Sequence, residues 1–201
     1  MNPRNITLGQ FTAAFVPFGL LFVAAMMAAE TSLDLNFQRL IYSVWATMPL
    51  MTVALCLFIL PKRTPARSNY WLLFWTFAFL LYMVHFYYSV MVHYHGSITE
   101  VFQQQGMRIA GSNFLDTIWW GLDVVLAWTI TRDVKWVRIE RGLLNAYLPL
   151  TFFVASVVIF KGFVNVLGYA MTVVVLISLA VRVRAWWIAR QSPAAMEVQH
   201  G

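Results

Sequence analysis

The chain has little charge. Asp, Glu, Lys and Arg make up 11% of its 201 residues, where soluble domains carry roughly a quarter. That shortage excludes an ordinary soluble domain. Acid is scarcer than base, 8 residues against 14, for a formal charge of +6. The basic residues stand in short clusters beside apolar runs rather than in a stripe, so the surplus points to the positive-inside rule and away from nucleic acid. Cysteine occurs once, at Cys56, which excludes an internal disulfide and any Cys-based metal centre. No Ser–His–Asp hydrolase signature, phosphate-binding glycine loop or His-Glu-x-x-His pattern occurs. Nor does an internal repeat of the kind that builds inverted-repeat transporters.

Long hydrophobic runs are abundant: 61% of the residues are hydrophobic and 16% aromatic, with nine Trp. Six apolar segments can be drawn, at 8–29, 40–60, 71–95, 113–131, 143–160 and 163–181, each reaching the roughly 18 residues needed to span a bilayer. The first is too long for a signal-peptide core and holds Pro17 and Gly19, so it is read as a retained helix. Pro17 and Pro49 favour kinks. The spacing therefore predicts an all-α, polytopic bundle of six transmembrane helices, one domain over 1–190 with a flexible cytoplasmic tail at 191–201.

Orientation follows from the loops. Arg4, Lys62, Arg63, Arg67, Arg132, Lys135, Arg138, Arg141, Arg182, Arg184 and Arg190 fall on one side, against Arg39, Arg108 and Lys161 on the other. This places both termini in the cytoplasm of a cell inner membrane. The linker charges of 131–142 are read as a solvated surface facing headgroups, and Trp186 and Trp187 as an interfacial anchor.

Three of the four histidines lie in the third segment: His85 inside it, His93 and His95 just before Gly96. Ionisable groups at membrane depth are functional candidates by default. Ala78, Tyr82, His85, Ser89 and Val92 share a helical face, and Gly96 suits a C-terminal cap. Ser97 and Glu100 fit a capping box that would open a short interfacial helix. Asn113 and Asp116 repeat that logic at the start of the fourth segment. Asp123 lies deeper, on one face with Asp116, Trp120 and Ala127, where a carboxylate needs a partner, a water path or a proton.

If segments three and four are straight antiparallel neighbours, two rungs are expected: His93 or His95 with Asp116, and His85 with Asp123. His85 and Asp123 are the leading candidates for chemistry. Tyr82, His85, Tyr88, Trp120 and Asp123 would line an outward-facing aromatic pocket. His93, His95, Asp116 and Glu100 are candidate ligands for a divalent metal. Haem held by two histidines of one chain is disfavoured, because those at depth share one helix. Haem on a single histidine, a quinone or a metal remains open. The bland alternative is a pair of His–Asp hydrogen bonds locking two helices.

Three functions compete. First stands a membrane subunit or small membrane enzyme binding a lipophilic ligand, metal or redox cofactor. Second is a proton- or cation-coupled transporter or channel, which a chain this short would run as a homo-oligomer. Third is a structural or assembly subunit with no chemistry of its own, associated with other membrane subunits. The residues leave open whether the chain is an enzyme.

Overall fold

A computed structural model describes residues 5–61, 64–159 and 161–191. Arg4, Lys62 and Arg63 of the loop reading, and all but the first residue of the expected 191–201 tail, lie outside the described residues. The described chain is all helical. Its six helices are α1 (Leu8–Glu30), α2 (Leu35–Ile59), α3 (Pro65–Tyr87), α4 (Ile98–Thr129), α5 (Lys135–Phe153) and α6 (Phe163–Gln191). α3 runs on into a π-helical turn, Tyr88–His93, and α5 into another, Val154–Ile159. Counting these extensions, five helices are long and apolar enough to cross a membrane: α1, α2, α3, α5 and α6. α4 does not join them by that measure, since Asp116 and Asp123 sit within its apolar part.

Local signals account for the starts. Thr7 and Gln10 form a reciprocal capping box on α1, Asp34 accepts from Phe37 N at the head of α2, and Thr64 accepts from Arg67 N ahead of Pro65. Pro17, Pro49 and Pro149 lie inside α1, α2 and α5. α3 and its π turn end where expected: His95 (φ 51°) and Gly96 (φ 77°) are left-handed, and Gly96 N donates to Val90 O at 2.8 Å.

α4 departs from expectation. It does not begin at Asn113 but runs from Ser97 onward, broken only at Gly106 (φ 77°, ψ 161°). The stretch expected as an interfacial helix is therefore its first two turns, and its second, longer stretch starts at Met107. Ser97 caps it, accepting from Glu100 N, but the Glu100 carboxylate takes Gln104 at 2.9 Å instead of reaching back. Asn113 and Asp116 are consequently interior helix residues, not caps.

α2, α3, α4, α5 and α6 each touch the next, and α6 returns to α2, which closes a five-helix ring; α1 packs on α2 and α3 from outside. The ring is filled. Trp71, Trp75, Trp120, Leu50, Met51, Leu55, Leu81, Leu144 and Leu148 make its core, while the outer faces carry exposed Leu, Ile, Val and Phe, as lipid contact requires. One end of the bundle, where α3 and α5 begin and α2, α4 and α6 finish, holds Arg67, Lys135, Arg138, Arg182, Arg184 and Arg190. We call it the basic end.

Candidate functional site

Asp123 lies on α4 with neighbours from two other helices of the ring, α3 and α5. Its Oδ1 accepts from Arg141 Nε at 2.8 Å and its Oδ2 from Trp75 Nε1 at 2.7 Å. The pair is interior, with Asp123 0% and Arg141 5% exposed. Arg141 reaches the core because α5 starts early, at Lys135. Val137, Arg141, Leu144, Leu148 and Phe152 then recur at helical spacing as one buried stripe. The solvated-linker reading of Arg141 is thus corrected. Its guanidinium also lies over the Trp71 ring, 4.8 Å from the centroid, where a delocalised cation is favoured. Next to it, Glu140 Oε1 accepts from Trp119 Nε1 at 2.6 Å, and Glu140 stands within electrostatic reach of both Asp123 and Arg141. The guanidinium pairs with Asp123 alone, while Glu140 Oε2 and Arg141 Nη2 are buried without hydrogen-bond partners; all three groups lie in the half of the ring nearer the basic end.

Two turns further along α4 lies Asp116, 3% exposed. Its surroundings differ. The Thr151 hydroxyl of α5 and Tyr82 of α3 are its polar neighbours, and Oδ1 is buried with no hydrogen-bond partner. None of the three ion pairs among the described residues includes it. From this level polar side chains continue toward the end opposite the basic one. Tyr82 OH donates to Asn113 O at 3.4 Å, and Ser112 and Tyr147 hydroxyls meet at 3.3 Å. Asn113 Nδ2 donates to Gln105 Oε1 at 3.2 Å, and Gln105 Nε2 to Tyr94 OH at 3.2 Å. Between the two acids stands Trp120, its ring 4.9 Å from Trp75 and 5.6 Å from Tyr82, its buried Nε1 also without a partner. Asn145 Nδ2 donates to Arg141 O at 2.8 Å, leaving its buried Oδ1 open. The α3–α4–α5 seam is therefore a polar column in an apolar ring.

The expected rungs do not form. Trp75, not His85, is level with Asp123, and Tyr82 is level with Asn113. Trp75 and His85 are ten residues apart, about 15 Å along a helix. α4 is helical from Ile98, directly after the end of the π turn, and not only from Asn113, so the straight pairing drawn from the apolar runs does not hold. His85 meets a backbone instead, its Nδ1 2.9 Å from Leu40 O. Its ring still contacts Tyr82 at 5.6 Å, so Tyr82, His85, Trp120 and Asp123 are linked by successive contacts through Trp75. Tyr88 is apart from them, under the Arg39 guanidinium at 5.9 Å, and Arg39 pairs with Glu30 at 2.6 Å. Asp123 also lies nearer the basic end than Asp116 does.

The metal candidates do not converge. His93 packs between Tyr94 (4.7 Å) and Phe37 (5.6 Å), His95 is exposed beyond the helix end, Glu100 holds Gln104, and Asp116 is buried below. Among the described residues no group of three or more His, Cys, Asp or Glu side chains assembles. The reason is the backbone: His93 closes the π turn and His95 lies beyond it in a left-handed conformation, while Asp116 lies about five turns inside α4. Surface grooves occur where Pro49 and Pro149 interrupt α2 and α5 against α6; their walls are Leu, Val, Met and Thr, and none of the seam residues lines them. No family model, no curated protein and no solved structure matches the chain.

Proposed function

We propose that the chain is an integral inner-membrane protein of six spans, both termini cytoplasmic, that passes protons or a small cation along the α3–α4–α5 seam. The observation that carries this is the pair of buried acids on one face of α4, one neutralised by Arg141 and the other by nothing, joined to a run of hydroxyl and amide side chains. Buried carboxylates without counter-charge are costly in hydrocarbon, and they recur where ions or protons move. The orientation rests on the basic end lying in the cytoplasm. α4 is counted as a span because its acids turn into the ring, leaving Leu115, Ile118, Leu122 and Val125 outward and exposed.

The test is ion flux in vesicles holding the purified protein, under an imposed gradient of protons, Na+ or K+. Flux of one ion above that of empty vesicles supports the proposal, and flux equal to empty vesicles for all three ends it. The contact series His85–Tyr82–Trp120 favours a second reading, a membrane subunit binding a lipophilic ligand or redox cofactor beside these rings. Native mass spectrometry and an absorption spectrum of protein purified in mild detergent would show the bound molecule, any partner subunits and the oligomeric state.

A further inference from the structure

We infer that Asp116 is the side chain that takes up and releases the moving ion, that the ion is a proton, and that Asp123 is a fixed charge which does not exchange. This rests on the transport reading above and names its substrate. Asp123 has both oxygens filled by N–H donors, Arg141 Nε and Trp75 Nε1, the first of them charged, with the Glu140 carboxyl of α5 also beside it. Asp116 has one buried oxygen without a hydrogen-bond partner and, among the described residues, no ion pair. The groups facing it are Tyr82 from α3 and Thr151 from α5, with Tyr147 of α5 next to Tyr82; none is basic.

A proton fits this site better than a metal cation. A bare cation needs about six oxygens around it, and the groups placed beside the Asp116 carboxyl are two hydroxyls, those of Thr151 and Tyr82. One carboxylate plus one proton gives a neutral acid, which hydrocarbon tolerates. Releasing it restores the carboxylate, with no other bond made or broken. The series Tyr82, Asn113, Gln105, Tyr94 points the exchange toward the end opposite the basic one.

The test is labelling of the intact wild-type protein, in detergent or vesicles, with dicyclohexylcarbodiimide, followed by peptide mass mapping. This apolar reagent adds to a protonated acid: the carboxyl oxygen bonds the central carbon, the acid's proton moves to nitrogen, and acyl migration leaves a stable N-acylurea. Adduct is expected on Asp116 and not on Asp123, falling at least several-fold as the pH is raised from 6 to 9. Adduct on Asp123, or none on Asp116, overturns the inference. So does protection of Asp116 by Na+ at constant pH, which would make the ion a metal cation. Labelling of Asp116 in a protein that shows no flux would uphold this assignment and end the transport reading; flux without labelling would do the reverse.

Discussion

Asp123 and Asp116 share a helix face and differ in what stands beside them. Removing the Asp123 carboxylate leaves the Arg141 charge buried and unpaired, so Asp123→Ala should cost about 3–5 kcal/mol. Arg141→Ala should cost a similar amount. An apolar pair, Asp123→Leu with Arg141→Met, should recover most of the loss, because it removes both charges rather than one. Thermal unfolding in detergent checks all three. His85→Ala should cost no more than about 1 kcal/mol by the same measurement, since its ring gives up one hydrogen bond to Leu40 O. That Asp123 needs a partner was legible from its depth and its spacing from Asp116. The identity of the partner was not. Arg141 sits in a mixed-charge stretch that resembles a linker, and only the apolar spacing of Val137, Leu144 and Leu148 marks it as inward-facing.

Helix extents were legible within about five residues for α1 and α2, where apolar runs and helices coincide, whereas α6 starts at Phe163 as expected but continues past 181 through its arginines to Gln191. α4 was misjudged because its first turns are rich in Gln and amphipathic, so the apolar pattern begins after the helix does. Cross-helix pairings drawn from the apolar runs therefore do not hold, and Trp75 rather than His85 meets Asp123. The same close packing makes some small residues irreplaceable. A Cβ on Gly168 of α6 would overlap Ser156 Oγ and come within 2.8 Å of Val157 Cγ2 on the π turn after α5. Ser156 cannot swing away freely, as its hydroxyl donates to Phe152 O at 2.6 Å. Gly168→Ala should therefore destabilise by about 1–3 kcal/mol, and adding Ser156→Gly should return part of it; melting temperatures of the single and double variants decide this. Gly106→Ala should lose about 1 kcal/mol in the same assay, because its φ of 77° strains any residue with a side chain.

For the molecule as a whole, charge sidedness and ring closure belong together. Arg67, Arg138, Arg182 and Arg190 gather at one end because successive helices alternate in direction, so that α3 and α5 begin where α2, α4 and α6 finish. Single cysteines placed at Ser97 and at Asp133, in a Cys56→Ala background, should be labelled by an impermeant thiol reagent from opposite sides of the membrane, Ser97 from outside. Labelling of both from one side would remove α4 as a span. Proton flux driven by a potassium diffusion potential into vesicles of equal protein content, compared for the wild type, Asp116→Asn and Asp116→Glu, bears most directly on what the bundle does. Wild type should acidify the vesicle interior well above the empty-vesicle rate, Asp116→Glu should retain part of that rate, and Asp116→Asn should fall to background with its melting temperature unchanged or raised. Undiminished flux in Asp116→Asn would contradict the assignment of the unpaired acid as the working group of the seam.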